Sequence, residues 1–327
     1  MQPKAQSLFM PASCAVMTID IGGTNLRMAL VSRDGAVLQR LSLPCKIADG
    51  IGPFLENIGN CAQRLTGFAS SSAISIRAVG AGVPGATDSS GRVISSVNLE
   101  PLVGFDLRTW LSKTLNLPAV LLNDANAAAF AELTYGAGRP FASFIHFTLG
   151  TGVGSGLVLN KQVWTGRRGI AAEYGHATVE PVGRPCNCGN NGCLEQYASA
   201  NGIILNAKEQ LLKGNNSSLA EYAQSMTAAQ IARAAQNGDN VAIECLETAG
   251  RYLGIAAATA VNLLDLEAII IGGGVAESFA FLEPAISSEL QRRAYPTARE
   301  GLKVLKGELG DNAGLLGAAA AAWQLDT

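Results

Sequence analysis

Short apolar runs that end in glycine alternate along this chain with longer stretches of helical periodicity. Residues 14–21 read as a strand that stops at Gly22-Gly23-Thr24, with further strands at 26–31 and 36–43 across a turn at Arg33-Asp34-Gly35. A helix fits 51–65, a buried strand fits 78–83 ahead of Pro84-Gly85, and 107–115, 119–122 and 125–133 read as helix, strand and alanine-rich helix. A second hairpin with glycines at Gly150, Gly152, Gly154 and Gly156 begins near 144, so two related halves are expected. The rest is mostly helical, at about 198–213, 227–236, 239–263 and 283–293. A buried strand at 268–271 runs into Gly272-Gly273-Gly274, and an apolar helix that must pack on something closes the chain.

Strands alternating with helices over 327 residues predict an α/β fold with one large or two modest cores. With 48% hydrophobic residues, 15% charged residues and a net charge of −2, there is no basic stripe for nucleic acid. The longest uncharged run, near 140–160, is broken by alternate glycines and does not suit a membrane span. Residues 1–13 lack a signal-peptide layout and are expected to be a loose extension, which makes the cytoplasm the expected location.

Seven cysteines argue for a metal site rather than a disulfide frame, because three of them, Cys186, Cys188 and Cys193, fall within eight positions and His176 lies just upstream. Thiolates and imidazole are zinc's preferred ligands, and four of them close a structural tetrahedral site. Gly189 and Gly192 would let the backbone turn so that the sulfurs converge. At Asp20-Ile21-Gly22-Gly23-Thr24, glycine amides and the Thr24 hydroxyl suit phosphate oxygens, while Asp20 suits Mg²⁺ held through water. Residues 148–154, with Thr151 and Gly152, repeat that pattern. One glycine turn in each half favours a nucleotide clamped between them. Asp124, at a strand-to-helix junction after Asn123, fits either a helix cap or a general base facing a cleft. Glu173 and Glu195 flank the cysteine segment and fit either sugar hydroxyls or plain solvation.

Taken together, these motifs resemble the ROK family of sugar kinases. Residues 20–24 resemble its first phosphate motif, 149–156 the second, 123–126 the connecting segment, 269–276 the adenosine motif and 312–323 the closing helix. Residues 173–176 and 183–195 match the family signature almost position for position. The resemblance implies a two-lobed actin/hexokinase-like, ribonuclease H-like fold with a structural zinc loop. A small lobe at 1–122 and a large lobe at 123–310 are expected, with a closing helix at about 311–327 packed back on the small one.

It further implies ATP with Mg²⁺ on Asp20, Gly22, Gly23, Thr24, Thr151 and Gly152, and adenosine near Gly272, Gly273 and Gly274. Zinc is implied on His176, Cys186, Cys188 and Cys193. Sugar contacts are implied from Gly85, Asn98, Asn123, Asp124, Glu173, His176 and Glu195, with Asp124 as the base. Asn25 departs from the lysine frequent in relatives. Glucose is the expected hexose, phosphorylated at its primary hydroxyl, ahead of N-acetylmannosamine, N-acetylglucosamine, fructose and allose. A sugar-sensing regulator is the other reading, but only 19 residues precede Asp20, too few for the DNA-binding domain of such regulators. The expected partners are the hexose, ATP and, in a homodimer, a second copy.

Overall fold

The computed structural model describes residues 13–88, 91–96 and 99–326. The first half opens as a meander of β1 (Ser13–Ile21), β2 (Asn25–Val31) and β3 (Val37–Pro44). Helix α1 (Ile51–Ser71) returns the chain to β4 (Ile74–Val83), parallel to β1. A ribbon of β5 (Ala86–Thr87) and β6 (Val93–Ser95) and helix α2 (Leu107–Leu115) lead to β7 (Ala119–Asn123), parallel to β4, and then to α3 (Asp124–Tyr135).

The second half repeats the plan. β8 (Phe144–Leu149), β9 (Val153–Leu159) and β10 (Gln162–Val163) form its meander. Helices α4 (Glu195–Ala198), α5 (Ala200–Leu212), α6 (Ala228–Gln236) and α7 (Asn240–Leu264) precede β11 (Ala268–Gly272). Then come α8 (Phe279–Arg293), β12 (Lys303–Lys306) and α9 (Ala313–Trp323). Among the described residues the five-stranded sheets run β3-β2-β1-β4-β7 and β10-β9-β8-β11-β12, the same order in each half. The structure is thus α/β with two mixed sheets.

Burial follows position in the sheet. β11 is buried at every residue, as a strand covered on both faces must be, whereas the edge strand β3 alternates with partly and fully exposed positions. The last helix of each half packs on the other half's sheet: α3 lies on β8 and β9, and α9 lies on β1 and β4. The two helices also pack on each other, which only small residues allow. A Cβ at Gly317 would sit 1.8 Å from the Ala127 carbonyl oxygen, and one at Gly80 1.9 Å from that of Ala318. Among the described residues no helix is long and apolar enough to cross a membrane.

Three expected boundaries move. The strand expected from 78 already begins at Ile74 as β4. Helix α1 continues to Ser71 instead of stopping near 65. Helix α8 starts at Phe279, a turn before the expected 283, and carries Pro284 inside it. Proline usually marks a helix start because it lacks the N–H an interior position needs.

Candidate active site

The carboxyl ends of β1, β7, β8 and β11 converge on one cavity of about 500 Å³, the place where open α/β sheets bind ligands. Gly85, Asn123, Asp124, Glu173, His176 and Glu195 line it, and so do Asp20, Thr151, Gly152, Gly272 and Gly273. Residues expected for sugar and for nucleotide therefore share one space. Gly22, Gly23 and Thr24 form the β1–β2 turn, closed by a bond from the Gly22 N–H to the Asn25 carbonyl (2.8 Å), but do not line the cavity. Gly274 is one residue beyond its wall. Asn98 lies outside the described residues.

The two readings of Asp124 separate here. Asn123 is the cap: its Oδ1 accepts the N–H groups of Ala125 and Asn126, both at 3.0 Å, while its Nδ2 donates to the Gly85 carbonyl at 2.9 Å. Gly85 itself has φ +105°, and a Cβ there would come within 2.1 Å of the Ser95 carbonyl oxygen. Asp124 is therefore not the cap residue, although its Oδ1 accepts the N–H of its neighbour Ala125 at 2.9 Å. It is accessible where it faces the cavity, yet the surrounding protein strips much of its hydration. That burial pushes its pKa up to about 6, and the charges of Asp20 and Glu173 push the same way against the Ala125 N–H.

Asp20 pairs with Arg27 at 2.5 Å. Burial raises its pKa, and the guanidinium opposes the rise. A Cβ on Gly314 would approach within 2.8 Å of the Asp20 carboxylate, so glycine lets the positive end of α9 come up against it. Two mutually repelling carboxylates, Asp20 and Asp124, facing one cavity form the hard-oxygen environment that suits Mg²⁺.

Glu195 begins α4, and its Oε2 accepts the Val153 N–H at 3.0 Å. Gly152 leaves the room, since a Cβ there would lie 2.3 Å from that oxygen. Glu173 follows Ala172, whose carbonyl accepts from the Ser155 hydroxyl, and that hydroxyl in turn accepts the Tyr174 N–H at 3.1 Å. The second glycine hairpin thus fixes both glutamates.

His176, Cys186, Cys188 and Cys193 bring their ligand atoms within 4.8 Å of one another. The Sγ atoms of Cys188 and Cys193 are 3.7 Å apart, and Cys186 Sγ is 3.6 Å from His176 Nδ1. A zinc tetrahedron with ordinary bond lengths has edges of about 3.8 Å between sulfurs and about 3.5 Å from sulfur to nitrogen. The loop's turns are forced: Gly189 and Gly192 have φ +91° and +70°, and a Cβ at Gly192 would lie 1.6 Å from the Glu180 carbonyl oxygen. The donor set and spacing fit zinc, and His176 joins this cluster to the cavity wall.

Several wall residues were missed by sequence reasoning. Arg27 donates to the Asp311 carbonyl at 3.0 Å besides pairing with Asp20. Glu132 accepts backbone N–H groups from Ala137, Glu308 and Leu309 and so anchors the segment that leads to Asp311. Its only signal was a carboxylate within an alanine-rich helix. His146 is buried, which pushes its pKa down to about 4 and keeps it neutral. A Cβ on Gly272 would fall 2.4 Å from His146 Nε2, so that glycine makes room for imidazole whatever else it does.

A model of the ROK family matches residues 16–324. The glucokinase of Halalkalibacterium halodurans is 36% identical over 305 residues, 91% of this chain and 92% of that protein. The N-acetylmannosamine kinase of Escherichia coli is 31% identical over 306 residues, 93% of this chain and 96% of that protein. A solved ROK glucokinase from Streptomyces griseus, in complex with glucose and AMPPNP, superposes with a TM-score of 0.80 at 30% identity, over 95% of this chain and 99% of that one. A ROK transcriptional regulator homologous to the E. coli MLC protein superposes with a TM-score of 0.87 at 27% identity, over 94% of this chain and 77% of that one.

Proposed function

This chain belongs to the ROK family, and from that premise we propose that it is an ATP-dependent sugar kinase that phosphorylates the primary hydroxyl of a hexose, with glucose as the preferred substrate. The carrying observation is Asp124, which leaves the cap to Asn123 and faces a cavity whose wall also holds Glu173, His176 and Glu195. In this reading Asp124 takes the proton of the sugar hydroxyl as that oxygen bonds to the γ-phosphorus of ATP and ADP leaves. A base with a pKa near 6 is ionised at neutral pH and still basic enough to help.

Glu173, His176 and Glu195 accept or donate to the remaining hydroxyls, with Gly85 beside them; Asn98 is a further sugar contact that the family resemblance implies. Asp20 would hold Mg²⁺ through water, and the metal would neutralise phosphate charge. Gly22, Gly23, Thr24, Thr151 and Gly152 would serve the phosphates, with Gly272, Gly273 and Gly274 near adenosine. Zinc on His176, Cys186, Cys188 and Cys193 would be structural, fixing the loop that ends in Glu195. The lobes are taken as 1–122 and 123–310, closing on the sugar so that water is not phosphorylated instead. A homodimer is the expected assembly, to be read by sedimentation.

Coupled measurement of ADP release with glucose, N-acetylmannosamine, N-acetylglucosamine, fructose and allose tests the reading. The highest kcat/KM is expected with glucose. The likeness to the ROK regulator favours the competing reading, a sugar-sensing protein without turnover. Hexose binding with no ADP release from any of the five would establish that reading and overturn the kinase.

A further inference from the structure

A second cavity, of about 750 Å³, adjoins the first at Asn123 and runs along β7, which is an edge strand among the described residues. It is larger than the cleft and shares Asn123 with it, but Asp20, Asp124 and the glutamates do not reach it. Both halves build it. β5, α2 and β7 contribute from the first, and the segment from Lys161 to Gly169 from the second. The two walls touch closely: a Cβ on Gly169, whose φ is +78°, would lie 2.5 Å from the Thr87 carbonyl oxygen.

The wall's charge departs from that of the chain. Arg108, Lys161, Arg167 and Arg168 line the cavity against one carboxylate, Asp88, in a protein whose net charge is −2. Arg167 and Arg168 are exposed. Planar guanidinium groups set around a concave space suit phosphate, which takes paired N–H donors. The wall is also equipped for more than an anion. Asn126 is 3% exposed and lies in it, and its buried Oδ1 has no hydrogen-bond partner among the described residues, so it lacks a donor such as a hydroxyl. Among the described residues, the outer edge of β7 offers backbone groups that no neighbouring strand uses. Phe130 adds an apolar face of the kind that packs on sugar C–H groups.

We propose that this cavity is a second ligand site, for a small phosphorylated sugar. Its phosphate sits on Arg167 and Arg168, and its hydroxyls face Asn126 and the β7 edge. The proposal rests on the kinase reading only for the compound to try first, since the product of that reaction has this chemistry. It differs from product held in the cleft, because of the cleft's lining residues only Asn123 reaches it.

Equilibrium titration with glucose 6-phosphate tests the site, with glucose and inorganic phosphate as separate arms, on wild type and on the Arg167→Ala/Arg168→Ala double variant. Both arginines are exposed, so circular dichroism of the variant should match wild type. Two equivalents of glucose 6-phosphate should bind wild type, one displaced by added glucose and one not. The undisplaced equivalent should weaken at least tenfold in the double variant and with added salt. It should bind more tightly than inorganic phosphate does, and glucose alone should not compete for it. If glucose displaces all bound glucose 6-phosphate, or if the double variant binds like wild type, the site does not exist. Inorganic phosphate binding as tightly as glucose 6-phosphate would overturn the sugar part of the proposal. If the kinase reading itself failed, dependence on the two arginines would still decide this one.

Discussion

At the scale of single residues, the decisive contrast is between Asn123 and Asp124. Sequence left open whether the aspartate caps a helix or faces a ligand, because both roles need an oxygen at the same junction. The structure assigns the cap to Asn123, while Asp124, one oxygen of which accepts the Ala125 N–H, lines the cleft. Its pKa of about 6, raised by burial, carries a signed prediction. The base works ionised, so kcat/KM for the hexose should be flat above about pH 6.5 and fall roughly tenfold per unit below pH 6. A profile flat down to pH 4.5 would remove Asp124 from the role.

Glu195 gives a second prediction. Glu195→Gln keeps an oxygen for the Val153 N–H but loses the charge. Charge-assisted hydrogen bonds are worth about 1.5–3 kcal/mol, so hexose KM should rise by roughly ten- to a hundredfold while ATP KM stays within a few-fold. Steady-state kinetics with both substrates varied would show it. Weakened ATP with untouched hexose would mean that the cysteine loop does not face the sugar. Arg27, Glu132 and His146 were not legible in sequence for one reason. Each acts on a group far away in the chain, and nothing local marks a side chain whose partner arrives only with the tertiary fold.

At the scale of elements, most strands and helices were legible because period and punctuation agreed. Helix α2 runs from Leu107 to Leu115 as read, and both hairpins turn at their glycines. The misses were elements with weak or contrary local signals. Strand β12 is four residues bounded by lysines, α4 is a single turn, and α8 carries a proline that reads as a start. In the proposed reading the cysteine loop is the element whose order depends most on a bound metal. Freshly purified protein should hold about one zinc per chain, as a closed four-ligand site requires. Cys188→Ser should lower zinc content, melting temperature and hexose affinity together, since His176 belongs to both the cluster and the cavity wall. Elemental analysis that finds no zinc in unchelated protein would contradict this.

At the scale of the molecule, the α/β class and the doubling were visible in two glycine-punctuated hairpins, and both sheets share one strand order. The family resemblance implied that the closing helix returns to the small lobe, but nothing in the sequence showed that α3 lies on β8 and β9 or that α3 and α9 pack on each other. Such non-local pairing is recorded only in small residues, Gly80, Gly317 and the alanines they meet, which look locally like ordinary helix and strand. The doubled fold makes one cavity from the strand ends of both halves, and the central claim is that Asp124 performs base chemistry there. The most direct test compares wild type with Asp124→Asn for hexose-dependent ADP release and, separately, for hexose binding. Burial disfavours the ionised side chain, so its raised pKa means that the charge destabilises the fold above about pH 4. The neutral variant should therefore fold at least as well at neutral pH. Turnover should drop by about two to four orders of magnitude while hexose binding changes little. Turnover within a few-fold of wild type would contradict the account.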